Sequence, residues 1–280
     1  MKKILICLSL VLIICSTILA GCSEPESTTT STTSTTTSMT SAATETTTPA
    51  DSPKYGGILR LKESLPQDAA LGDPLNVFGP FTFHASIPLE RLFMPTTTPG
   101  KLVYVLATGY ELAPDKSYYN VFLREGVTFH DGTPFDAEAV KWNLDRVLDA
   151  GVSELATVDS ISVVDEHTVR LNFSEWNNQI IHDLWHDPCI IVSPTSFKEN
   201  GAEWAGTHPI GTGPFIFVES ESSPTLSVFT RNPNYWQDGL PYLDGVENHM
   251  ITDSAATEAA LLSGEIHGTW SAHKSVQLAM

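Results

Sequence analysis

Apolar and polar positions divide the chain into three stretches of different character. Residues 4–15 form a nearly unbroken apolar run behind Met1, Lys2 and Lys3. Residues 27–48 then place 18 Ser or Thr in 22 positions, with a single Met and no aromatic residue. Such a tract buries nothing to offset the entropy of ordering it, so it is expected to be a disordered tether. From about Tyr55 the pattern becomes that of short alternating elements. Ile58-Leu59-Arg60-Leu61 reads as a strand entered through Gly56-Gly57, and Asp73-Pro74 breaks the chain. Residues 118–123 and 127–129 predict a strand pair around Arg124-Glu125-Gly126. His130-Asp131-Gly132-Thr133-Pro134 is a turn, and Asp136 caps a helix over 137–149 whose Val140, Leu144, Val147 and Leu148 recur at helical spacing before Gly151.

Further on, residues 161–164 and 169–173 flank Asp165-Glu166-His167 as a hairpin, and 190–192 read as a buried strand. Residues 215–218 and 226–229 form a second hairpin around Ser222-Ser223-Pro224. The end reads strand 246–251, helix 254–263, strand 266–270. The class is α/β with irregular connections and no fixed-period repeat.

Charge and cysteine usage narrow the function. The chain of 280 residues has 33 acidic and 15 basic side chains, a net −18. Loss of residues 1–21 removes Lys2 and Lys3, leaving 13 minus 33, or −20. That surface repels phosphate backbones and anionic headgroups, which excludes nucleic acid and a membrane-lying face as partners. The leader is too short for a transmembrane helix and ends in Leu19-Ala20-Gly21-Cys22, which resembles the bacterial lipobox. Cleavage before Cys22 and its acylation would leave the protein lipid-anchored outside the cytoplasm. Cys7 and Cys15 leave with the leader, so Cys189 has no intramolecular disulfide partner.

Several blocks carry a family resemblance. Tyr55 to Leu61, the run from Phe122 through His130-Asp131-Gly132-Thr133-Pro134 to Glu138, and Val163 to Val169 come first. Ile191-Val192-Ser193-Pro194, Pro209-Ile210-Gly211-Thr212-Gly213-Pro214-Phe215, Arg231-Asn232-Pro233-Asn234-Tyr235-Trp236 and Leu262-Ser263-Gly264-Glu265-Ile266 follow in order. Together they resemble the family 5 extracellular solute-binding proteins, the oligopeptide- and dipeptide-binding components of ABC importers. His267 stands where the family usually has Asp.

The resemblance implies a periplasmic-binding-protein type II-like α/β fold, a mixed sheet with flanking helices plus an inserted α+β subdomain. On it, 1–21 is the lipoprotein signal and 22–54 the Ser/Thr-rich tether. Residues 55–75 and 187–280 form the main part of the first lobe, 76–186 its inserted subdomain, and the second lobe is expected to be absent from this chain. The implied function is capture of peptides or a related small solute for ABC permease and ATPase subunits, by a monomer with no catalysis and no cofactor. Its implied ligand contacts are Phe78, Gly79 and Pro80, which follow Asp73-Pro74, and Trp270. A plain loop at 78–80 and a core Trp270 are the alternatives. Tyr235 and Trp236 either pack on the sheet or offer a stacking platform. The glycines at 211 and 213 suit either close backbone passage or an anion nest.

Two other functions compete. His182 and His186 stand at i and i+4 beside Asp183 and Asp187, a spacing that on a helix suits zinc or nickel, in a metal-binding surface protein or a hydrolase. Asp183 occupies the place of the Glu that a zincin needs, which weakens the hydrolase version. The other is a truncated surface lipoprotein that does not transport.

Overall fold

The computed structural model describes residues 53–63, 71–76, 82–98 and 100–269. Their elements are β1 (Ile58–Glu63), α1 (Thr82–Ala85), β2 (Phe93–Pro95), β3 (Leu102–Tyr104), β4 (Ala107–Leu112) and β5 (Tyr118–Leu123). Next come α2 (Ala137–Asp149), β6 (Val158–Asp165), β7 (Thr168–Phe173), α3 (Ile180–Asp183), α4 (Pro194–Asn200) and α5 (Ala202–Thr207). The last are β8 (Phe215–Phe217), β9 (Leu226–Arg231), β10 (Gly245–Met250), α6 (Ser254–Ser263) and β11 (Gly268–Thr269).

Two sheets carry the architecture. One is mixed, in the order β11-β1-β10-β9-β8. Within it β1 runs parallel to both β10 and β11, while β9 is antiparallel to β10 and β8. The other has the order β4-β5-β7-β6 and is wholly antiparallel. A short β2-β3 ribbon stands apart from both.

The larger apolar cluster lies where α2 covers the antiparallel sheet. Val140, Leu144 and Val147 of the helix meet Val121, Leu123, Val169 and Leu171 of the strands. Each fully buried side chain of this kind contributes about 1.5–3 kcal/mol. Asp136 caps α2 by accepting from the Ala139 N–H at 2.8 Å, and Gly151 ends the turn after it at a φ of 65°. The mixed sheet has its own cluster of Leu61, Ile87, Phe229 and Val246.

Three expectations change. Residues 127–129 do not pair with β5, whose partners are β4 and β7. Val127 and Phe129 are buried, and their backbone bonds close on Phe135 and Thr133, so the segment is a tight loop folded on the core. The true partner, β4, is a half-exposed edge strand with a register shift between Ala107 and Gly109, which blurs its alternation. Residues 190–192 are buried as expected but make only one isolated bridge, Glu90 to Ile191. Asn143 of α2 takes over the next backbone position, accepting from Val192 N–H and donating to Val192 O. The last strand shortens to Gly268–Thr269, and Trp270 lies outside the described residues.

Candidate functional site

Ligands of open α/β sheets collect beyond the carboxyl ends of parallel strands. Here those ends are Glu63 of β1, Met250 of β10 and Thr269 of β11. Glu63 and the His84 of α1 meet at this edge, with His84 Nε2 3.1 Å from Glu63 Oε2 but without the alignment of a hydrogen bond. Both side chains are buried. Burial holds the His84 pKa below its usual range although the Glu63 charge opposes the shift, so the imidazole is neutral near pH 7.

The chain before residues 77–81 is pinned just as firmly. Asp73 accepts from Leu75 N–H, from Asn76 Nδ2 at 3.0 Å and from Arg146 of α2 at 2.7 Å. On the far side, Ala85 and Leu89 sink into a cluster with Ile190 and Val192. Phe78, Gly79, Pro80, Trp270 and the lipidation candidate Cys22 themselves lie outside the described residues. What the structure supplies is their frame: Asp73 and α1 on either side of 77–81, and β11 leading to 270.

His267 ties the chain after α6 to β1. Its Nδ1 accepts from Arg60 N–H at 3.0 Å, and its own N–H donates to Arg60 O at 2.7 Å.

The sequence blocks converge on a residue that the sequence reading missed. Glu90 accepts from Tyr235 Oη and Thr212 Oγ1, both at 2.8 Å, and from Trp236 Nε1 at 2.9 Å. The Arg124 guanidinium lies 4.1 Å from the Trp236 ring centre. Burial raises the Glu90 pKa, and the three donors oppose the rise. Tyr235 and Trp236 are therefore anchors of this knot. The signal lay in pairing a buried carboxylate with a donor-rich block, which distance along the chain concealed. Gly211 and Gly213 take the close-passage role: a Cβ on Gly211 would stand 2.4 Å from Pro88 O, and Gly213 N–H is already spent on that oxygen. His130 locks the same passage, with Nε2 donating to Gly213 O at 2.9 Å.

The His182 and His186 pair does not form the expected face. Helix α3 stops at Asp183, and His186 has an extended backbone at φ −68° and ψ 159°. Its ring edges against Trp185, and its Nδ1 is 3.8 Å from Glu154. Among the described residues no group of three or more His, Cys, Asp or Glu is placed to hold a metal ion. A cavity of about 450 Å³ is lined by His208, Phe217 and Glu219, and another of about 300 Å³ lies beside Asp136 and Lys198.

Residues 101–278 match the family described as Bacterial extracellular solute-binding proteins, family 5 Middle. Over 170 residues the chain is 34% identical to the glutathione-binding protein GsiB of Pectobacterium atrosepticum, covering 59% of this chain and 33% of that protein. GsiB of Shigella flexneri is 35% identical over the same coverage. Among solved structures, an ABC transporter substrate-binding protein from Sinorhizobium meliloti superposes with a TM-score of 0.65 at 30% identity, covering 75% of this chain and 42% of that one. NikA from Brucella suis, in complex with Fe(III)-EDTA, gives 0.64 at 29% identity, covering 74% and 42%. The chain thus spans about a third of the length of the curated relatives it matches, and its fold is that of part of a type II periplasmic binding protein. It belongs to the bacterial extracellular solute-binding proteins of family 5.

Proposed function

We propose that this chain captures peptides outside the cytoplasm for the permease and ATPase subunits of an ABC importer, as a monomer held to the membrane through a lipid on Cys22. The observation that carries this reading is the carboxyl edge of β1, β10 and β11, where the Glu63–His84 contact joins β1 to α1, while Asp73, tied to Arg146 of α2, fixes the chain ahead of residues 77–81. A backbone segment beside such an edge can pair with a peptide backbone, which gives affinity without reading side chains. The relatives named glutathione-binding favour a peptide ligand, since glutathione is itself a tripeptide. Phe78, Gly79 and Pro80 are assigned to that pairing, although Pro80 brings no amide donor, and Trp270 to covering a ligand side chain. The division into 55–75 with 187–280 and an inserted 76–186 is supported by the two sheets, one drawn from each part.

Thermal unfolding of the full chain with reduced glutathione and with trialanine tests the reading. At a ligand concentration of 100 times Kd, binding adds about 2.7 kcal/mol and raises Tm by several degrees. A Tm unmoved by millimolar concentrations of either peptide would sink it. Labelling with a fatty acid, lost on Cys22→Ala, checks the anchor; equal labelling of both forms removes it.

A further inference from the structure

One row on the inner face of the mixed sheet breaks an otherwise apolar surface. Val246 and Asn248 of β10 point to the same face as Leu61 and Phe229. Asn248 stands opposite Leu61 on one side and Ser227 on the other, and it is 2% exposed. Among the described residues neither its Nδ2 nor its Oδ1 has a hydrogen-bond partner. A buried amide with both ends unmade is costly, and leucine, of similar volume, would remove the cost. Packing among the described residues therefore gives no reason for asparagine at this position.

Towards the carboxyl edge, the next residue on the same face of β10 is Met250, opposite Glu63. It is half-buried, and Thr225 beyond Ser227 is exposed. Asn248 is thus the inner end of a polar strip that continues through Glu63 and His84 to the edge assigned above to solute capture. Met250, next to it on that face, has an unbranched, adaptable side chain.

We propose that Asn248 is the innermost hydrogen-bonding group behind the carboxyl edge of β1 and β10, kept for an amide of the captured solute, with Met250 as the side chain that moves aside to admit it. The inference rests on the capture reading above and narrows its ligand class. An amide offers one donor and one acceptor and satisfies both ends of Asn248. A carboxylate can only accept, leaves Oδ1 unpaired and meets the nearby Glu63. An ammonium can only donate and leaves Nδ2 unpaired. A peptide bond or a carboxamide is the group that fits.

The test combines thermal unfolding with calorimetric titration of the full chain by trialanine and by reduced glutathione. Asn248→Leu is expected to raise the Tm of the ligand-free chain by roughly 2–4 °C and to weaken peptide binding about tenfold. Asn248→Ala, which adds no branching, is expected to show the same loss of affinity. A lower Tm for Asn248→Leu overturns the proposal, because the amide is then satisfied within the fold. So does unchanged affinity in both variants while the unsubstituted chain binds. If the unsubstituted chain binds neither peptide, the capture reading fails and this assignment with it, a result distinct from the variants binding as well as the parent.

Discussion

Replacing Glu90 by alanine removes the acceptor shared by Tyr235, Trp236 and Thr212. Hydrogen bonds to a charged group contribute about 1.5–3 kcal/mol each, and an orphaned buried donor costs about 1–3. Thr212 is 1% exposed, so water cannot take the vacated place cheaply. The cost of burying the carboxylate, visible in its raised pKa, offsets part of the sum. The expected loss is about 3–6 kcal/mol, a large share of the 5–15 kcal/mol typical of a domain. Glu90→Gln keeps a carbonyl acceptor and loses about 1–2 kcal/mol, and Tyr235→Phe about 1. Urea unfolding followed by tryptophan fluorescence measures all three, and a cycle on Glu90→Gln with Tyr235→Phe should show coupling above about 0.5 kcal/mol. Since the folded pKa lies above the ordinary 4.5, the folded state holds the proton longer. Stability contributed by this group is therefore present below about pH 4.5 and declines as pH rises towards the folded value, and Glu90→Gln should flatten that decline. A loss below about 1 kcal/mol for Glu90→Ala would refute the knot as a determinant of the fold.

Gly211→Ala forces a Cβ against Pro88 O and should cost about 1–3 kcal/mol by urea unfolding. Gly206→Ala in α5, where a Cβ meets nothing within 4 Å, should be neutral or stabilising by up to about 1 kcal/mol, and equal losses at the two sites would contradict the close-passage account. Asp136→Ala loses the cap of α2 and should cost about 0.5–2 kcal/mol, with Asp136→Asn recovering most of it. His84, whose folded pKa lies below 6.5, takes up its proton first in the unfolded chain. Stability should fall as pH drops from 6.5 towards that lowered value, and His84→Gln should remove this step; an identical pH profile in the two chains would deny His84 the role.

Local periodicity made much of the fold legible. The 137–149 helix with its Asp136 cap, both hairpins and the 254–263 helix follow from apolar spacing and turn residues alone, because each closes on near neighbours. What escaped was set by distant partners. β4 owes its place to pairing with β5 rather than to its own alternation, and residues 190–192 lose their ladder to the Asn143 side chain. Glu90 meets donors more than 120 positions away, which no sequence window can show. The spacing of His182 and His186 misled because it assumed a helix, and α3 ends before completing the turn. The ligand contacts at Phe78, Gly79, Pro80 and Trp270 came from resemblance alone, and the structure speaks to their flanks.

Hydrogen exchange on the full chain, with and without saturating trialanine, tests most directly whether solute is captured at the carboxyl edge. The account predicts slower exchange at residues 60–63, 82–87 and 247–250, where β1, α1 and β10 meet, with little change across β4 to β7. Protection confined to the antiparallel sheet, or none at all, would contradict it.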